Sequence, residues 1–585
     1  NPPSFEPPRG ALVRDSMSTT TDEVGPAAAA REEPAPAADA PEPKQAPSSR
    51  PPAAPRAGSG RDAASFREWL DGRPLPPGYA RFFGLYLPAM VLLGEMWRAH
   101  PFTIDDAFIS YRYARNFAHG LGLVYNAGER IEGYTNFLWT VLLAGGIRLG
   151  LEPDTLAKVM GAASALGALA VTYALAGRLR SFRTAPCVAT WLLATTIVGS
   201  GYAVFGLETP LFVLLVLGGL ELFLRETGGV MRGKKARDDA PEPTAFPWSG
   251  LVFALAGLTR PEAPMYLGVP MLFLGRRFFG RQNLLRGALF AAPVAAHVLF
   301  RHAYYGTWLP NTLGAKTGNL QSQVQAGEAY IQNYVLNQGP VVWFALLGLA
   351  IAIVLARRDL LAIAALGTCV LVYVVIVGGD WMPYFRFMAP FEPLCFLLVD
   401  VGVRFALDRR ERVTTLAIAL FALFVINIRR NNLVEAQNSF ITKEKRFWDM
   451  AAGGTANWFL KNGDPGEIAI GDIGFVGYKT NYPILDLLGL VDPVIAKLPG
   501  GYTQKLGPGF RDRFFEVGPK YLLLISSNLD CRHPSVPGSQ VLYRDPRFLP
   551  RYDLAGKVPL DGGFAWCIYR DKTAPRAPAS SVVVP

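Results

Sequence analysis

Acids and cations recur in the 585-residue chain where apolar runs leave off, and they sit in a few short motifs. Asp105 and Asp106 open the segment DDAFISYRYARN. Glu208 stands in FGLETP, and Arg260 and Glu262 stand in LTRPEAP. Asn311 and Lys316 lie in YYGTWLPNTLGAKTG, and Asp380 and Arg386 in GGDWMPYFRF. A positioned carboxylate can take the proton of a hydroxyl. Cations can hold a phosphate as negative charge develops on it. Both are needed to move a sugar from a lipid phosphate onto a hydroxyl. In that scheme Asp105 and Asp106 are the candidate catalytic acids. Arg386 and Lys316 would hold the donor phosphate, with Arg260 as a further candidate. Glu208, Glu262, Asn311 and Asp380 would orient sugar hydroxyls or the cations. The five His and five Cys form no zinc-like cluster. Any metal would be a divalent cation with oxygen ligands, such as Mg, Mn or Ca, with Asp105 and Asp106 as candidate ligands. No P-loop is present, which suits a lipid-linked donor.

Each motif also has a plainer reading. Adjacent acids can simply serve a helix N-terminus. Glu208 can snorkel, Arg260 and Glu262 can pair with each other, and Arg386 can anchor at an interface. Asp105 and Asp106 would point about 100° apart on a helix, which argues for two different jobs. The evidence for a site is convergence, because these residues gather on one side once the chain is threaded through a bilayer.

Composition supplies that threading. Hydrophobic residues make up 50% and charged residues 18%, below the roughly 25% charge of soluble domains. This excludes a soluble multi-domain enzyme, a fibre and a wholly disordered chain. Apolar runs fall at 82–98, 136–149, 155–177, 187–204, 209–225, 248–275, 286–302, 340–356, 359–377, 387–405 and 413–428. A crossing helix needs about 20 residues. Basic clusters at Arg178–Arg183, Lys234–Arg237, Arg276–Arg281, Arg357–Arg358 and Arg409–Arg412 belong in the cytoplasm by the positive-inside rule. Consistency then requires the run 136–149 to lie at the outer face. It also requires 248–275 to be two short spans meeting at Arg260–Glu262. The outcome is about 11 spans with the N-terminus inside and the C-terminus outside. The net charge of +11 thus reports topology and no nucleic-acid partner.

Residues 1–64, rich in Pro and Ala, are expected to be disordered. Residues 65–428 form the membrane domain, 429–573 an external α/β domain and 574–585 a loose tail. Within the external domain, Glu467–Gly471, Tyr521–Ser526, Val541–Arg544 and Phe564–Arg570 read as strands. Cys531 and Cys567 could pair there if it faces an oxidising compartment. In the first external loop, Ala107, Tyr111, Ala114 and Ala118 share a face, which predicts a helix from Asp105 to Ala118 ending at Gly120.

Taken together, the five motifs and GDIGFVGY…DLLGLVDP resemble bacterial GT-C membrane glycosyltransferases. The nearest group is that of the mycobacterial terminal β-(1→2) arabinofuranosyltransferase, over about residues 82–500. The resemblance implies a polytopic α-helical membrane protein with juxtamembrane helices in the first external loop and a periplasmic C-terminal domain. It implies inverting transfer of an arabinofuranose-like pentose or a hexose from a polyprenyl-phosphate donor to an extracytoplasmic glycan, lipid or protein acceptor. It also implies residence among the lipids of a bacterial cytoplasmic membrane. The first acid of the loop, Asp105, matches the usual base. A transporter or flippase of lipid-linked sugars is the alternative function; it would place its key charges at the bilayer midplane.

Overall fold

Broken helices carry most of the polar motifs. The computed structural model describes residues 77–179, 187–232, 245–339, 341–408, 439, 441–462 and 464–575. The expected disordered segment 1–64, the apolar run 413–428, most of the tail and the basic clusters at Lys234–Arg237 and Arg409–Arg412 lie outside the described residues. So do Arg180 and Arg183 of the first cluster.

Among the described residues, three helices are long and apolar enough to cross a membrane: Pro153–Arg178, Arg281–Tyr305 and Arg358–Val377. Leu320–Gln338 and Val341–Val354 together make a fourth, broken candidate. The first of these begins well because Pro153 occupies its first turn and the Glu152 carboxylate accepts the Thr155 N–H at 2.7 Å. Its Ala and Gly residues let it lie close against Thr209–Glu226, and Arg178 pairs with Glu221 across that contact at 2.5 Å.

The run 248–275 divides as expected, into Trp248–Thr259 and Pro264–Leu272. Arg260 is extended (φ −150°, ψ 140°) because the following Pro261 disfavours helical backbone before it. Expected as one apolar run, 187–204 is instead two short helices, Val188–Ala194 and Ile197–Tyr202. Thr195 turns its hydroxyl back onto the Trp191 carbonyl, and Thr196 gives its own to the Glu392 carboxylate, so side chains compete with the helix there. A helix at Leu320–Gln338 was not expected; its sequence is too polar to read as a span.

The first-loop helix is Asp105–Ala118, with Ala107, Tyr111, Ala114 and Ala118 buried and Gly120 at φ +82° beyond its end. The C-terminal part is an α/β domain with strands β1 (Ile468–Ile470), β2 (Ile484–Asp486), β3 (Tyr521–Ser526), β4 (Tyr552–Pro559) and β5 (Ala565–Asp571). Their order is β2-β1-β3-β5-β4. β1 pairs in parallel with β2 and β3, while β5 is antiparallel to β3 and β4. Val541–Arg544, expected as a strand, closes the helix Pro537–Tyr543 instead. Cys531 and Cys567 form a disulfide.

The sheet faces two cores in strict alternation. Ala469, Leu522, Leu524, Cys567 and Tyr569 point into one. Ile468, Ile470, Tyr521, Leu523 and Ile568 point into the other, which also contains Tyr113, Tyr125 and Tyr134 of the first loop. The first loop and the C-terminal domain therefore share one hydrophobic interior.

Candidate active site

The two neighbouring aspartates meet different surroundings. Asp105 is buried, and its two oxygens accept the backbone N–H groups of Gly474 (2.9 Å) and Phe475 (2.8 Å) from the C-terminal domain. Burial and then the charge of Asp472 push its carboxyl up to about 7, against the pull of those N–H groups. Asp106 is half-buried and accepts no hydrogen bond among the described contacts. Burial raises its pKa, opposed first by Lys316 and then by Arg386; Asp380 and Glu208 add like charge. The charges of Lys316 and Arg386 thus act on Asp106, while the Asp105 carboxylate is engaged by the C-terminal domain.

Arg112 and Arg115 continue the face that begins at Asp105. Arg112 donates to the carbonyls of Tyr125, Gly477 and Tyr482, and Arg115 to that of Tyr478. Their positive charge holds the C-terminal domain in place. Gly474 is required at this junction, because a Cβ there would lie 1.9 Å from the Asp105 carbonyl oxygen.

Lys316 closes the short helix Asn311–Lys316. It reaches solvent yet is crowded by protein, as a cleft-wall side chain is, and burial lowers its pKa while Asp106 opposes that shift. Its ammonium sits 5.7 Å from the ring centre of Tyr502. Among the described residues it forms no ion pair. Asn311, expected to orient substrate, donates its amide to the carbonyls of Gly489 and Leu490 at 2.8 and 2.9 Å. It fixes the Lys316 helix to the C-terminal domain.

The two arginines are held by acids. Arg386 Nε donates to Asp380 at 2.6 Å. Arg260 bonds Glu208 at 2.9 Å and Glu262 at 2.5 Å, and Asn136 donates to the other Glu208 oxygen at 3.0 Å. Both guanidinium groups stand over Phe387, at 5.3 Å for Arg260 and 5.2 Å for Arg386. Just before Arg386, Tyr384 and Phe385 have φ of +61° and +59°, a conformation that costs bulky residues roughly 1–2 kcal/mol each. The GGDWMPYFRF loop accepts that strain while the Tyr202 hydroxyl pins its Pro383 carbonyl at 2.6 Å.

Two residues of this cleft escaped the sequence reading. Asp472 follows the carboxyl end of β1, and burial and the charge of Asp106 push it up to about 6. Tyr502 lies under Lys316. Asp472 stands in the quoted GDIGFVGY motif, so the signal existed; Tyr502 sits in a Gly-rich turn with none. Among the described residues, no three acids, histidines or cysteines gather as a cation-binding group. Of the Asp105–Asp106 pair, one carboxylate is engaged by backbone N–H groups and the other is acted on by the charges of Lys316 and Arg386.

The comparisons with known proteins agree with this architecture. A domain family of unknown function, DUF8728, matches residues 439–572. A terminal beta-(1->2)-arabinofuranosyltransferase of Corynebacterium glutamicum is 30% identical over 341 residues, 51% of this chain and 48% of that protein. Its namesake from Mycobacterium tuberculosis is 28% identical over 411 residues, 60% and 62% of the two chains. The chain thus spans about half to three-fifths of the length of these curated relatives. ArnT from Cupriavidus metallidurans bound to undecaprenyl phosphate superposes with a TM-score of 0.51 at 13% identity, covering 86% of this chain and 99% of that one. The chain resembles the GT-C glycosyltransferases. The likeness to ArnT establishes a polytopic helical membrane fold with a C-terminal domain. The GT-C resemblance read from the motifs is borne out at that level; the count of about 11 spans goes beyond it.

Proposed function

We propose that this chain is a membrane glycosyltransferase that moves a sugar from a polyprenyl-phosphate donor to an extracytoplasmic glycan, lipid or protein acceptor, with inversion. The observation that carries the reading is that the charges of Lys316 and Arg386 act on the partly buried Asp106, in a chain with the fold of ArnT. The names of the sequence relatives favour an arabinofuranose-like pentose, and the undecaprenyl phosphate bound to ArnT favours a polyprenyl-phosphate donor.

The base in this proposal is Asp106, in place of Asp105. Both acids have raised pKa values, and Asp106 is preferred because the Asp105 oxygens are already engaged by backbone N–H groups whereas Asp106 accepts no hydrogen bond among the described contacts. Its carboxylate takes the proton from an acceptor hydroxyl. The hydroxyl oxygen bonds to the anomeric carbon as the bond from that carbon to the phosphate oxygen breaks. The electron pair leaves with the lipid phosphate, whose growing charge is met by Lys316 and Arg386, with Arg260 behind them. Lys316 leads because no carboxylate pairs with it among the described residues. Asp380, Glu208 and Glu262 hold the arginines, and Asp105 and Asn311 hold the C-terminal domain against the cleft. No step is routed through a divalent cation; among the described residues no three acids, histidines or cysteines gather as a site for one.

The topology belongs to the same reading: a bacterial cytoplasmic membrane, about 11 crossings, the N-terminus inside, and the cleft and C-terminal domain outside. The basic clusters support it, and so does the Cys531–Cys567 disulfide, a bond that persists in oxidising compartments. The test uses purified protein in detergent with polyprenyl-phosphate pentoses and hexoses and a soluble glycoside acceptor. Sugar should appear on the acceptor without any sealed membrane. Asp106→Asn should lower turnover by about a thousandfold or more, in the range of a lost general base. Asp105→Asn should instead loosen the C-terminal domain. Full turnover in Asp106→Asn would sink the assignment.

A further inference from the structure

A small, partly open chamber lies against the paired arginines, and the mechanism above gives no role to its Thr209 and Tyr266. Thr209, Glu262, Tyr266, Arg260 and Arg386 line it, with apolar walls that include Phe212. It has room for about one oxygen-sized group. Three of its polar atoms have no hydrogen-bond partner: Thr209 Oγ1, Glu262 Oε2 and the Tyr266 hydroxyl. All three side chains are buried; Tyr266 is 0% exposed, Thr209 3%, and the Glu262 side chain 5%. Buried polar groups are normally paired, so each such atom needs an account. These three come from the start of one helix, the break at Arg260–Ala263 and the helix after it, and they converge on a single chamber.

The chemistry of the lining defines the occupant. Glu262 Oε2 can only accept a hydrogen bond, so the occupant must donate one. Thr209 and Tyr266 can each donate or accept, so an occupant that both donates and accepts can pair with all three. The carboxylate opposes an anion, and the two arginines oppose a cation. A neutral hydroxyl satisfies all of these conditions. Arg260 and Arg386 belong both to this chamber and to the phosphate site proposed above, so a sugar on that phosphate has its hydroxyls close by.

We propose that the chamber receives one hydroxyl of the transferred sugar and makes the donor site selective for a sugar that bears it. This inference rests on the glycosyltransferase reading. A site built to hydrogen-bond a substrate hydroxyl rejects the analogue lacking it by as much as about 10⁴-fold, because its own buried groups are then left unpaired. Tyr266, Thr209 and Glu262 are the selecting residues.

The experiment uses the full chain in detergent with farnesyl-phosphoryl arabinofuranose and farnesyl-phosphoryl mannose as donors and octyl glycosides as acceptors. Whichever donor turns over is then prepared as a set of singly deoxygenated analogues. One deoxy position should lower kcat/KM by roughly a thousandfold in the wild-type chain. The same position should matter far less in Tyr266→Phe and in the isosteric Thr209→Val, because the lost partners belong to one interaction. Inhibition by sugar-free farnesyl phosphate should be equal in all three proteins. Thermal unfolding of Tyr266→Phe should be unchanged or raised, since the substitution removes an unpaired buried hydroxyl. Equal turnover of every deoxy donor, the same penalty in wild type and variants, or a marked loss of stability in Tyr266→Phe overturns the inference and leaves the enzyme reading standing; the chamber would then hold an internal water. Turnover of neither parent donor overturns the enzyme reading and this inference with it.

Discussion

Asp106 and Lys316 are drawn toward each other in pKa. Burial raises the acid and lowers the amine, while each opposes the other's shift. A base must be ionised and a phosphate-holding lysine protonated. Activity should therefore rise with pH through a value above the usual 3.9 of an aspartate and fall again below the usual 10.4 of a lysine. A profile of kcat/KM against pH measures both limbs, and Lys316→Arg should move only the alkaline one. Asp105 makes a separate, structural prediction. Its folded pKa of about 7 exceeds the unfolded value, so the native state holds the extra proton. Its contribution to stability is complete below about pH 4 and is lost as pH rises through about 7. Denaturation midpoints across that window should fall with rising pH, and Asp105→Asn should flatten the slope.

At the scale of elements, the site hangs on helix ends and breaks. The break at Arg260 was legible because proline fixes the residue before it. The first-loop helix was legible from its alanine and tyrosine spacing. The division at Thr195–Thr196 was not, because it depends on Glu392, almost 200 residues away. For the same reason the different surroundings of Asp105 and Asp106 could be anticipated from helix geometry, but which of the two the cations act on could not. That depends on Gly474 and Phe475, whose N–H groups claim the first aspartate. Arg112 and Arg115 likewise find their partners in backbone carbonyls of a domain more than 350 residues away in sequence. The tight junction gives a sharp test. Gly474→Ala should cost about 1–3 kcal/mol, as overpacking does, because the obstructing atom is backbone. Limited proteolysis should then release the C-terminal domain sooner, with transfer lost in parallel.

At the scale of the whole molecule, the first loop and the C-terminal domain share one interior. Tyrosines of the first loop pack in the same core as β1, β3 and β5, and Asp472 and Tyr502 complete the cleft from the C-terminal side. The disulfide closes the segment between Cys531 and Cys567, a separation of 36 residues. By the chain-entropy relation such a loop is worth about 4 kcal/mol, so Cys531→Ser should lower the unfolding temperature of the C-terminal domain in a calorimetric scan. The pairing of Asp105 with Gly474 also sets a clock. The two residues are 369 positions apart, and at about 5–20 residues per second the ribosome needs roughly 20–70 s to bridge them. Throughout that interval the first loop of the growing chain lacks the backbone N–H groups that engage Asp105. Under the proposed function, newly made protein should therefore be silent toward a polyprenyl-phosphate sugar until residues 439–572 have been made and folded. Nascent chains arrested before residue 460 should show no sugar transfer, whereas the same chains released and completed should acquire it in a single step.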